Sequence, residues 1–103
     1  MRLRGACYWK WADAGLHCHT HAEQLSNSSI IDVQTRLSRV GATQMFIGVY
    51  SSTGVVLIEM SYDKRPGESM MRALAWGVQH ARGLAEGLGQ LPEHNSQPSV
   101  TGL

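Results

Sequence analysis

The sequence predicts an α+β domain, a small antiparallel β-meander or hairpin followed by one long C-terminal helix packed on the sheet. Three observations carry this. Two apolar, β-branched runs at residues 43–50 and 55–62 flank the loop Ser51-Ser52-Thr53-Gly54, the composition of two strands joined by a hairpin. Arg65-Pro66-Gly67-Glu68 then interrupts the pattern. Beyond it, Met70, Leu74, Val78, Ala81, Ala85 and Leu88 form one stripe at helical spacing, with Gly77 in it.

Each element has its own reason. In residues 30–40, Ile31, Val33, Thr35 and Leu37 alternate with Asp32, Gln34, Arg36 and Ser38, the pattern of a half-buried strand. Ile30, Val33, Leu37 and Val40 also fit a helix, with Ser29 and Asp32 as a capping box and Gly41 at its end. The β-branched content favours the strand. Gly54 suits a turn position with positive φ. Glu68 suits the positive end of the following helix dipole. Gly77 and Ala81 let that helix lie close to the sheet. Glycines at 83, 87 and 89 fray its end.

The domain reading is tripartite. Residues 1–28 form an irregular segment holding both cysteines, Trp9, Trp11, His17, His19 and His21. Apolar periodicity is poor there, and only a short helix around Trp11, Gly15 and residues 18–22 is expected. Such a mixture also arises when a start codon is set too early, which would begin the protein near residues 25–33. Residues 29–88 form the α+β domain. Residues 89–103, rich in Pro, Ser, Asn and Gly, read as a disordered tail.

Composition bounds the function. The 103 residues suffice for one small domain, and a domain of this size buries only about 60–65% of its unfolded surface, so a second copy or partner would add stability. The net charge of +1 comes from scattered basic residues, unlike the patch or stripe of a nucleic-acid binder. No apolar run approaches the roughly 18 residues of a membrane span. No apolar stretch follows Met1-Arg2-Leu3-Arg4 as in a signal peptide. Two cysteines make no disulfide framework. The expectation is a cytoplasmic protein with reduced thiols.

Catalytic groups are sparse. There is no phosphate loop and no nucleophile elbow. Cys18 beside a histidine would lie in an irregular segment that does not hold a nucleophile and base in geometry. Asp32, Glu59 and Glu68 are too few for a carboxylate metal centre. Glu59 is expected to face solvent or an arginine. The chain therefore reads as a non-enzyme without a cofactor.

Two features remain. In the second hairpin strand, alternation points Val55 and Leu57 one way and Val56, Ile58 and Met60 the other, so neither face is properly polar. That implies a covering surface, either a homodimer sheet or a helix from the N-terminal segment. Trp76 lies off the helix stripe, some 160–200° away by helical-wheel spacing, with Arg72 and His80 one turn before and after it. This is the composition of an interface hot spot.

The string Gly41-Ala42-Thr43-Gln44-Met45-Phe46-Ile47-Gly48-Val49-Tyr50, with the later Arg65-Pro66-Gly67-Glu68 and Arg72-Ala73-Leu74-Ala75-Trp76-Gly77, resembles small uncharacterised proteins of proteobacteria over residues 41–86. That resemblance implies a bacterial setting and no activity. In size and surface character the chain is also similar to antiactivators, which bind a transcription factor and block its dimerisation.

The favoured expectation is a small regulatory protein that dimerises and binds a protein partner through Trp76, Arg72, His80, Val55 and Leu57. An alternative is a zinc- or copper-binding protein using Cys7, His17, Cys18, His19 and His21, because imidazole and thiolate suit soft metals. Their spacing matches no standard zinc module. A second alternative is a nucleic-acid-binding sheet with Phe46, Tyr50 and Tyr62 as stacking platforms beside Arg36 and Arg39.

Overall fold

The structure, a computed structural model, describes residues 3–65 and 67–89. The elements are α1 (Ala6–Trp11), β1 (His19–Gln24), β2 (Ile30–Leu37), β3 (Thr43–Tyr50), β4 (Val56–Tyr62) and α2 (Met70–Gly89). The strands form one antiparallel meander in the order β1-β2-β3-β4, so β1 and β4 are its edges. The architecture is α+β, with the long C-terminal helix packed on the sheet, as the sequence predicts. Residues 30–37 are strand rather than helix. The tail expected from residue 89 lies, beyond Gly89, outside the described residues.

The strand pattern sorts the sheet into two unlike faces. Ile31 and Val33 on β2 meet Val49 and Ile47 on β3, and all four are fully buried with Met45 under α2. From α2, Ala73, Val78, Ala81 and Ala85 complete this core. Gly77 is where the helix comes closest. A Cβ there would lie 2.6 Å from Met45 Sδ and 2.7 Å from Val33 Cγ1, so only hydrogen fits. The helix starts by a different cap than expected. Ser69 Oγ accepts the Arg72 N–H at 3.2 Å, a side-chain cap on the third helical position. Glu68 instead pairs with Arg65 at 2.7 Å, and its carbonyl accepts the Thr43 hydroxyl at 2.9 Å.

Turn chemistry closes the strands. Gly54 has φ +90°, and the β3–β4 loop is held by the Ser51 N–H to Val55 carbonyl bond at 2.8 Å. Between β1 and β2, Asn27 Nδ2 donates to the Ala85 carbonyl at 3.1 Å, fastening that turn to α2.

Residues 3–24 correct the reading of an irregular N-terminal segment. They supply the edge strand β1, and α1 covers the far face of β3 and β4. Both are parts of the same fold as residues 29–88. Among the described residues no helix is long and apolar enough to cross a membrane.

Because Gly77 sits against two core side chains, Gly77→Ala is expected to destabilise the fold although alanine is the better helix former. The propensity gain of about 1 kcal/mol is outweighed by overpacking of about 1–3 kcal/mol. Chemical denaturation should show a net loss of up to about 2 kcal/mol, whereas Gly83→Ala, with open space around it, should stabilise.

Candidate contact site at the β4 edge

The far face of the sheet is polar and organised around one carboxylate. Asp32, Gly48 and Glu59 stand in one row across β2, β3 and β4. Gly48 leaves room for the Tyr50 ring, which a Cβ would meet at 2.7 Å. Glu59 does not face solvent. Its carboxylate accepts the Gly5 N–H at 3.0 Å and the Tyr8 N–H at 3.2 Å. Those are the cap and third-position amides of α1, so Glu59 caps this helix from another element. The Tyr50 hydroxyl donates to the same carboxylate at 2.6 Å. Gly5 permits the approach, since a Cβ there would meet Glu59 Oε1 at 2.6 Å.

Arg4 completes the cluster. It forms an ion pair with the fully buried Asp32, donates to the Tyr50 hydroxyl at 3.3 Å, and lies over the Tyr8 ring at 4.2 Å. Burial pushes the Tyr50 hydroxyl above its ordinary pKa, and donation to Glu59 adds to this against the opposing pull of Arg4. Further along, Trp11 and Tyr8 pack on Phe46. Arg36 stacks on Trp11 at 3.8 Å and donates to its carbonyl at 2.6 Å.

This face decides between two sequence alternatives and corrects one expectation. Its cover is α1, one of the two coverings that the sequence left open. Phe46 and Tyr50 lie fully buried beneath that cover, so they present no platform for stacking bases. Tyr62 meets Trp76 edge-on instead, and Arg39 pairs with Asp13 at 2.6 Å.

The alternation expected along 55–62 also fails at one point. Ile58 pairs with Val49, yet Tyr50 pairs with Val56 rather than Leu57, a register shift in β4. Ile58 and Met60 pack against the core and Glu59 turns the other way. Val55, Val56 and Leu57 stay exposed, Leu57 by 46%. They sit where β4 begins, and the Leu3 N–H joins the neighbouring Gly54 carbonyl at 2.7 Å.

Trp76 proves to lie on the flank of α2 that faces β4, not on the side away from the sheet. The helix backbone lies over β1, β2 and β3, and Trp76 reaches Tyr62 on β4, with ring centroids 5.8 Å apart. His80 stacks on it at 4.7 Å and Arg65 lies over it at 4.2 Å. Trp76 keeps 38% of its surface exposed. Arg72, one turn earlier, is exposed. The structure therefore brings Trp76, His80 and Tyr62 together, and places Val55 and Leu57 toward the opposite end of the same strand. The helical pattern alone could not reveal this, because it does not say how far the sheet extends sideways beneath the helix.

The Cys/His residues are dispersed. His17 and His19 have ring centroids 5.5 Å apart. His21 bonds Glu23 at 2.6 Å, and Glu23 also pairs with Arg82 at 2.7 Å. Cys7 lies on α1, and burial pushes the Cys18 thiol up, away from the thiolate that a nucleophilic role requires. Among the described residues no group of three or more His, Cys, Asp and Glu is placed to hold a metal. His17 and Cys18 instead line a cleft of about 620 Å³ with Tyr8, Trp9, Trp11 and Asp13. Asp32 and Glu59, considered as metal carboxylates, are engaged by Arg4 and α1, and Glu68 by Arg65.

No family model matches the chain, and no curated protein or solved structure is significantly similar to it.

Two outcomes test this geometry. Glu59→Ala should cost about 2–3 kcal/mol, from the lost cap and stranded donors, and should free the amides of residues 5–11 to hydrogen exchange while α2 stays protected. In an alkaline absorbance titration, one tyrosine should fail to ionise near the ordinary value of about 10. A raised pKa means that folding favours the protonated form. The stability from the Tyr50 hydrogen bond is thus full below about pH 10 and is lost as pH rises through the folded-state value. Tyr50→Phe should remove that late step.

Proposed function

We propose that this protein works by contact rather than by catalysis, as a small cytoplasmic regulatory protein that binds a protein partner through the edge of β4 and the flank of α2. The single observation that carries this is the pairing of an exposed apolar edge strand with a half-exposed tryptophan beside it. Edge strands ordinarily carry charges, proline or bulges that discourage pairing, and of these β4 has a register shift near its start but no proline and no outward-facing charge. In β4 the one charged side chain, Glu59, is turned inward, while Val56 and Leu57 remain outside. Trp76, with His80 stacked and Arg65 over it, gives a preformed aromatic anchor of the type that dominates binding energy. The free thiols Cys7 and Cys18 suit a reducing compartment. A partner held this way would be regulated by occlusion, as an antiactivator occludes a transcription factor.

The test compares Trp76→Ala with Val40→Ala, a control at an exposed valine in the β2–β3 loop. Trp76→Ala should keep the fold, losing about 1–2 kcal/mol of ring and cation–π contacts. Affinity capture from the native cell should yield a partner that wild type and Val40→Ala retain and Trp76→Ala loses. A partner set identical for all three forms would overturn the reading.

A further inference from the structure

We infer that β4 pairs antiparallel with β4 of a second copy of this chain, making one continuous eight-stranded sheet. This rests on the contact reading and names one partner for the same edge.

The argument begins with main-chain chemistry. β4 is bonded to β3 on one side and forms the sheet's edge on the other. A strand is what satisfies such a row of amides and carbonyls. Its side chains decide which strand. Val56, Leu57, Ile58, Met60, Ser61 and Tyr62 carry no charge, and the one charge, Glu59, is consumed under the sheet by α1 and Tyr50. Two copies meet along β4 without like-charge opposition in a register that staggers the two inward-turned Glu59 side chains, since like charges directly opposite would destabilise the pair.

The opposite edge disfavours the other arrangement. β1 carries His19, His21 and Glu23, with Glu23 already held by His21 and Arg82. Placing β4 against β1 of another copy would set an apolar strand on a polar one and, as a head-to-tail contact, would build a ring or an open filament. Like against like closes after two copies.

The symmetry then has a consequence for Trp76. A two-fold axis perpendicular to the sheet makes the strands antiparallel and keeps both α2 helices on one face. Each α2 lies over β1, β2 and β3 of its own copy. The two β4 strands would floor a groove between the helices, about 14 Å across from β3 to β3 by three strand spacings. Trp76 and His80 of each copy would stand at its walls. The anchor of the contact reading would thus be presented twice, around a floor of Met60 and Tyr62.

The experiment uses the full chain. Light scattering over a concentration series should give twice the monomer mass, and Leu57→Lys, which places an ammonium on the seam at an exposed position, should return the monomer with unchanged circular dichroism. Residue-resolved hydrogen exchange on wild type needs no variant. The β4 amides not bonded to β3 should be protected at high concentration and should lose that protection on dilution. A monomer at every concentration, or a dimer in which those amides exchange freely, overturns the self-pairing. The two readings fail separately. A monomer whose Trp76→Ala variant loses its partner removes the self-pairing alone, and a β4-paired dimer with an unchanged partner set in Trp76→Ala removes the contact reading alone.

Discussion

The carboxylate of Glu59 is the constraint from which the rest of this molecule follows. It projects from an edge strand, where a charge would ordinarily face water, and turns beneath the sheet to accept the Gly5 and Tyr8 amides and the Tyr50 hydroxyl. A helix of six residues is far below the length at which helices are stable alone. α1 exists because another strand completes its first turn and because Trp11 and Tyr8 pack on Phe46. With α1 in place, the far face is sealed over Asp32, Tyr50 and Phe46, and the edge of β4 is left without a charge.

The two faces do different work. Toward α2 the sheet is apolar, filled by Ile31, Val33, Met45, Ile47 and Val49, with Gly77 drawing the helix down. This side carries most of the burial that offsets chain entropy. Toward α1 the sheet buries Asp32 and Tyr50 in a hydrogen-bonded cluster with Arg4 and Glu59. Polar groups inside a fold have few acceptable arrangements, so this side fixes where the N-terminal segment docks. The register shift in β4 separates the part of that strand held from both faces from the Val55–Val56–Leu57 corner that is not.

Much of the sheet and the long helix was legible in the sequence, because α2 carries a full repeat of its own period, and β3 and β4 are apolar, β-branched runs with a turn signal between them. β2 was legible only through its β-branched content, since Ile30, Val33, Leu37 and Val40 satisfy a helix equally well. α1 and β1 were not legible, for a physical reason. The cap of α1 lies 54 residues from Gly5 and 51 from Tyr8, so no local signal marks its start. β1 is a polar edge strand whose exposed side chains need no apolar alternation. At the candidate site, the types of the residues were readable and their placement was not. Trp76 was visible as off the apolar stripe, but only the lateral position of β4 turns that into a flank beside Tyr62. Val55 and Leu57 stood out as apolar, but the register shift, which no residue type announces, alters where they lie.

The claim on which all of this rests is that Glu59 is folded inward as the cap of α1. Nuclear Overhauser contacts between the Glu59 side chain and the amide protons of Gly5 and Tyr8 measure it directly. The account predicts both contacts, together with one from Glu59 to the Tyr50 ring. A Glu59 side chain that shows none of them and is averaged by solvent, with α1 nonetheless folded, would contradict it.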